Sequence, residues 1–258
     1  MSMKKIAAAA MIGAPAACAG GAQGRDPGTP DERTATLDPF DSILVGGTFK
    51  VTVRKGDLQE ISLSGPSTML DDTELRVRDG KLIIGWREGA GWSRNGDVGV
   101  DVDITLPALR EVMSGGPSLV RVDDVEGESF SAINGGAGRI ELGHVAARSV
   151  QVKMAGSGPI TIDNIEAEDL LVHLAGAGSL NASGNVSEGT AVLAGAGSFN
   201  AAQMSFARLD LTLASSGSAA ATVTDHVSIK AVSSGSATIT GGAACSVNSM
   251  GSGKVDCS

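Results

Sequence analysis

The residues of this 258-residue sequence that could do chemistry are three cysteines, several carboxylates, three histidines and two tryptophans. Cys18 ends the segment MSMKKIAAAAMIGAPAAC, in which Lys4 and Lys5 give a basic start and Ile6 to Ala14 an apolar run. That run is too short to cross a bilayer as a helix, so residues 1–18 read as a secretory signal. Pro15-Ala16-Ala17-Cys18 resembles a lipobox, with Pro15 where leucine is usual. Cys18 is therefore the expected lipidation site and the expected link to a membrane; ordinary cleavage after Ala16 or Ala19 is the alternative. Cys245 and Cys257 remain, either as a disulfide suited to an exported chain or as two free thiols. A bridge would close a small loop, worth about 2–3 kcal/mol.

Glycoside cleavage needs two carboxylates placed across a cleft. Asp101 and Asp103 share one face of an alternating segment, and Asp123, Asp124, Glu126 and Glu128 crowd a corner. Both sets read more simply as solvated acidic faces. His144, His173 and His226 could serve as bases, but no Ser or Cys sits in an elbow matched to one of them. Gly135-Gly136-Ala137-Gly138-Arg139 opens like a calcium-binding nonapeptide repeat, then departs at Arg139, and its period is about twice too long. No metal or cofactor is expected. The net charge of −9, with Lys and Arg scattered among Asp and Glu, excludes nucleic acid as a partner.

The elements that must position these residues come from a repeat. LAGAGSLNA at 174–182 returns as LAGAGSFNA at 193–201, and related triplets end at Ser118, Gly138, Gly158, Gly178, Gly197, Gly217, Gly235 and Gly253. These ends lie 20, 20, 20, 19, 20, 18 and 18 residues apart. So steady a period marks a solenoid. Two and four residues past each triplet stand apolar pairs such as Val120/Val122, Ile140/Leu142 and Ile160/Ile162, and similar pairs precede it. Alternation of period two means strands.

The expected fold is therefore all-β: a parallel β-helix of about eight coils over residues 113–258, roughly 40 Å long at ~4.8 Å per coil. Helical patterns are absent. Glycine in each triplet serves a sharp bend, through positive φ or through the absence of a side chain where bends stack. A phosphate cradle is the weaker reading, since no helix follows. Residues 38–112 alternate but carry more charge and no triplet, and are expected to form an antiparallel or irregular β layer capping the rod. Residues 19–37, rich in Gly, Pro and charge, read as a flexible linker.

On such a rod the third residue past each triplet faces outward, giving a row that includes Thr161, Asn181, Asn200 and Thr238. Beside it runs a row of small hydroxyls, Ser179, Ser198, Ser218 and Ser236. Asn181 and Asn200 are candidate contacts for a glycan, an envelope protein or a second copy of the chain. Trp86 and Trp92, in GWREGAGWSRNGD, either stack on such a ligand or cover the end of the helix.

The order FDSILVGGTFKVTV near Phe40, DGKLII at Asp79, VDVDITLPAL at Val100 and the repeated Gly phrases resembles the bacterial auto-transporter adhesin, head GIN domain, family. The resemblance spans residues 38–258. It implies an exported or lipid-anchored β-helical protein of the periplasm, outer membrane or cell surface, without catalytic activity, and it carries over no site residues. A noncatalytic interaction module with an adhesive role is the expectation. A polysaccharide-active enzyme and a self-associating envelope scaffold are the alternatives.

Overall fold

A computed structural model of the chain describes residues 26–90, 92 and 98–258. The signal segment and Cys18 lie outside them. In chain order the elements are β1 (Pro30–Thr34), β2 (Ser42–Val45), β3 (Phe49–Lys55), β4 (Glu60–Pro66), α1 (Ser67–Asp71), β5 (Thr73–Arg78), β6 (Lys81–Trp86), β7 (Val100–Leu106) and β8 (Glu111–Ser114). Six long bent strands follow: β9 (Leu119–Asn134), β10 (Arg139–Met154), β11 (Ile160–Leu174), β12 (Ser179–Leu193), β13 (Ser198–Leu213) and β14 (Ser218–Ala231). The chain ends in β15 (Ser236–Thr240), β16 (Ala244–Ser249) and β17 (Val255–Cys257).

Strands β9 to β14 pair in parallel, each with the next, one repeat apart: Val120 lies against Ile140, Ile140 against Ile160, Ile160 against Leu180, Leu180 against Phe199. Every one of these side chains is buried. A single 20-residue repeat could not bury such a row, and only stacking closes it from water. The parallel β-solenoid is thus as expected, with about seven turns where about eight coils were expected. Where the period shortens, the register absorbs it. It slips between Ile162 and Ile165 for the 19-residue repeat, and between Ala201 and Arg208 for the first 18-residue one.

Of the two reasons for glycine in the bends, only the missing side chain holds. Among the described residues, positive φ occurs at Gly28, Gly47, Gly65, Gly80, Gly89, Gly184, Gly241, Gly242 and Asp79, and at no glycine of the eight triplets. Close approach is what the triplets need. The amide of Gly158 donates to the Gly136 carbonyl at 3.2 Å and that of Gly178 to Gly156 at 3.2 Å, so carbonyls point along the rod into the next bend. A Cβ on Gly158 would stand 1.7 Å from the Gly138 oxygen, and one on Gly156 1.9 Å from the Gly136 oxygen.

The N-terminal region departs from expectation in its topology. Its outer part pairs antiparallel, β4 on β7, β1 on β4 and β5 on β6. Its inner part, however, belongs to the solenoid. Strands β2 and β3 pair in parallel with β8 and β9 on one side and with β6 and β7 on the other. Stacking order therefore differs from chain order, with the β2–β3 rung lying between β6–β7 and β8–β9. Gly46-Gly47 acts as a further bend: a Cβ on Gly116 would meet the Gly47 amide nitrogen at 2.4 Å. Two smaller corrections concern residues 30–34, which form an edge strand inside the expected linker, and α1, a one-turn helix whose Met69 and Leu70 plug the cap.

One buried polar cluster supports the first bends. Asn134 is wholly buried in a row occupied elsewhere by Met154, Leu174 and Leu193. Its Nδ2 donates to the Gly138 carbonyl at 2.7 Å and its Oδ1 accepts from the Gly136 amide at 3.1 Å. Ser114 and Ser118 hydrogen-bond beside it at 3.0 Å. Removing the amide leaves the buried Gly138 carbonyl and the part-buried Gly136 amide without their partner. Asn134→Ala is expected to cost about 2–4 kcal/mol in denaturant unfolding, and Asn134→Leu no less, since volume without hydrogen bonds does not answer the bend.

Candidate functional site

The shortened repeat also shapes the surface. Thr161, Asn181 and Asn200 are in register on β11, β12 and β13, on the outward row. Asn200 Nδ2 donates to Asn181 Oδ1 at 3.3 Å, so the two candidate amides form a ladder. Immediately past Asn181 the register slips, with Ser183 meeting Gln203, and Gly184 takes φ +124°. A side chain at 184 would lie 2.1 Å from the Ile165 carbonyl oxygen, so glycine is required there on both counts. The slip leaves an open groove lined by Thr161, Asp163, Asn181, Ser183, Asn200 and Gln203, floored by Ala182 and Ala202. Ser183 donates its hydroxyl to the Asp163 carbonyl, fixing one wall. Small side chains make the groove, and amides, hydroxyls and one carboxylate furnish it with donors and acceptors.

The carboxylates considered for hydrolysis are arranged otherwise. Lys50 meets Asp101 at 3.2 Å, Arg54 meets Asp103 at 2.9 Å and Asp123 at 3.6 Å, and Lys55 meets Glu126 at 2.5 Å. Asp124 Oδ1 lies 3.0 Å from His144 Nδ1 and accepts from it in the tautomer that carries the proton there. The hydrogen bond to Glu126 holds the Lys55 ammonium above its ordinary value of 10.5. Asp101, Asp103, Asp123, Asp124 and Glu126 thus each face a cation on a neighbouring rung, and none of the five faces a second carboxylate across a cleft. His173 and His226 are exposed on separate strands. Among the described residues no three metal-binding side chains converge.

Cross-rung pairing was missed in the sequence, though its signal is there. Arg121 pairs with Glu141, Arg148 with Glu168 and Arg208 with Glu188, each 20 residues apart. The glutamate's hydrogen bond raises all three guanidinium groups further above their ordinary value. These pairs are exposed, so Arg148→Ala should change unfolding free energy by less than about 1 kcal/mol, checked by the same titration.

The tryptophans turn inward. Trp86 stacks on Phe49 with centroids 4.2 Å apart, and its indole nitrogen is buried without a hydrogen-bond partner. Trp92 donates its Nε1–H to Asp72 Oδ2 at 2.8 Å and offers its carbonyl to Thr48 at 3.2 Å. Both are only partly exposed and packed against the core. They lie by the β3 rung, four rungs or about 19 Å from Asn181 at ~4.8 Å each, so the structure does not bring the two sets of candidates together. Cys245 and Cys257 are joined as a disulfide, with Cα atoms 6.6 Å apart. They continue the inward rows of Val227 and Ile239 but are exposed, since no other described strand lies over them.

Fold and groove define a parallel β-solenoid that presents an ordered polar surface. The chain belongs to the family described as "Putative auto-transporter adhesin, head GIN domain", whose model matches residues 39–243. Three solved structures share the fold. One described as a putative lipid binding protein from Parabacteroides distasonis is 23% identical, with TM-score 0.82, 90% of this chain covered and 97% of the other. A putative adhesin from the same organism is 18% identical, with TM-score 0.80, covering 90% and 98%. A putative adhesin from Parabacteroides merdae is 18% identical, with TM-score 0.78, covering 90% and 97%. No curated protein matches the sequence. The family supports a surface-interaction role and suggests an exported or surface protein.

Proposed function

We propose that the chain is a noncatalytic binding module of the cell envelope and that the Asn181–Asn200 groove is its contact site for a glycan. The observation that carries this is the amide ladder at the one register slip between β12 and β13. It sets donors and acceptors at fixed spacing on a surface that cannot flex without breaking rungs. Sugar hydroxyls are met by such paired amides and hydroxyls. An apolar lipid chain is not, so the description of the lipid-binding relative does not transfer to this groove. Ion-paired carboxylates speak against the polysaccharide-cleaving alternative. Anchoring through a lipidated Cys18, with residues 19–29 as tether, would hold the rod at a membrane; the intact mass of the mature N-terminus tests this.

The binding test is a glycan array read with the purified mature chain, followed by titration of the best hit. Asn181→Ala/Asn200→Ala is expected to weaken that hit at least about tenfold, as when paired hydrogen bonds are lost, with the thermal midpoint unchanged. Unaltered affinity in the double variant, or turnover of a polysaccharide by the wild type, would overturn the reading.

A further inference from the structure

The two ends of the rod are finished differently. At the N-terminal end the apolar rows are covered by β1, β4, β5 and α1, and Met69, Leu70 and Leu63 are buried there. At the C-terminal end they are open. All of β16 is exposed, Val247 to 46%, and Met250 beside it to 68%. Strands β16 and β17 are each hydrogen-bonded on one side only, to β14 and β15. Edges of this kind pair with other chains unless charge, proline or a bulge blunts them. The last coil has no proline, and its disulfide fixes both strands in place instead of letting them fray.

The sequence of this end is self-complementary. The chain reverses at Gly251-Ser252-Gly253, and the disulfide shows Cys245 opposite Cys257. Counting two residues inward along each strand sets Val247 opposite Val255. A two-fold axis perpendicular to the rod and passing through both valines would pair β17 with β17 and β16 with β16, both antiparallel, in a single operation. On β17 Val255 then meets Val255, and the outward Lys254 of each copy meets Asp256 of the other. On β16 Val247 meets Val247, and Ser246 meets Asn248. Opposite charges directly across an antiparallel pair are favourable, like charges are not. Isologous contact about a two-fold is also the commonest way for identical chains to assemble.

We infer that the open C-terminal end is a dimerisation surface, on which a second copy of this chain docks tail to tail through β16 and β17, with Lys254 and Asp256 forming reciprocal ion pairs. The dimer is a doubled rod with a capped, tether-bearing end at each extremity and two Asn181–Asn200 grooves. It does not depend on what those grooves bind.

Sedimentation equilibrium on the mature chain over roughly 1–100 µM tests it. The wild type is expected to dimerise within that range. Asp256→Lys sets Lys254 against a lysine of the other copy and should raise the dissociation constant at least about tenfold. Lys254→Asp/Asp256→Lys restores opposite charges across the axis and should restore the dimer. Both positions are exposed, so far-UV circular dichroism should not change. A wild type monomeric throughout, a dimer indifferent to Asp256→Lys, or a double variant as weak as the single one would each refute the tail-to-tail arrangement.

Discussion

Gly158→Ala is expected to destabilise the protein by about 3 kcal/mol or more, the upper part of the range for overpacking a rigid site. The added methyl would begin 1.7 Å from the Gly138 carbonyl oxygen, 2.8 Å from the Gly138 carbonyl carbon and 2.8 Å from the Ala137 carbon. All three are backbone, so no rotamer change relieves the contact. The rungs must part, and parting them stretches the bond from the Gly158 amide to the Gly136 oxygen. The chain itself shows a milder case at the first triplet position. Ser215 stands there and donates its hydroxyl to the Gly195 carbonyl of the rung before. A Cβ on Gly195 would still begin 2.0 Å from the Gly176 oxygen, so Gly195→Ser should also destabilise, though less than Gly158→Ser, because the first position accommodates serine at Ser215 and Ser233 and the third only at Ser118 on the first rung. Guanidinium titrations of the four proteins decide the matter.

The second large effect lies in the core. Gly189 sits in an inward row filled on other rungs by Phe130, Val150, Leu170, Leu209 and Val227. Phe206, from the following rung, takes the vacant space: a Cβ on Gly189 would be 2.6 Å from its Cε1. Neighbouring rungs carry Val186 and Val223 in register with Phe206. Its ring also meets Phe199 edge-on at 6.4 Å. Phe206→Ala leaves a hole that a glycine wall cannot fill, and is expected to cost about 4–5 kcal/mol, the top of the range for phenylalanine truncation. Gly189→Leu alone should also destabilise, by overpacking against the ring. Together, Gly189→Leu/Phe206→Val recreate the neighbouring rungs, and the double variant should be more stable than either single one, with a coupling of at least about 1 kcal/mol. Simple additivity would show that the two residues do not share one space.

This pair illustrates what the sequence could and could not convey. Spacing of the Gly triplets and the apolar alternation revealed the solenoid, the inward rows and the outward asparagines, because a stacked fold turns sequence period directly into contact. Gly189 against Phe206 was hidden, since volume exchanged between rungs leaves no mark on the period. Interleaving of β2–β3 between later rungs was hidden for a related reason: the region has only one Gly-Gly bend, and nothing in chain order says which rung lies beneath it. The groove was half legible. Asn181 and Asn200 follow from the row, whereas Asp163, Ser183 and Gln203 join them only through the register slip. The indoles of Trp86 and Trp92 looked available because a polar Gly-rich stretch surrounds them, but Phe49 and Asp72, distant in sequence, take them inward.

The central claim is that the triplet glycines are there because bends stack backbone on backbone, leaving the outward residues free to vary. Within one triplet, Ser157 points to solvent while Gly158 is buried. Denaturant unfolding of Ser157→Val and Gly158→Ala, side by side, is the most direct measurement. The stacking account predicts a change within about 0.5 kcal/mol for Ser157→Val and a loss several times larger for Gly158→Ala. Equal shifts in the two variants, or a Gly158→Ala protein as stable as the wild type, would contradict it.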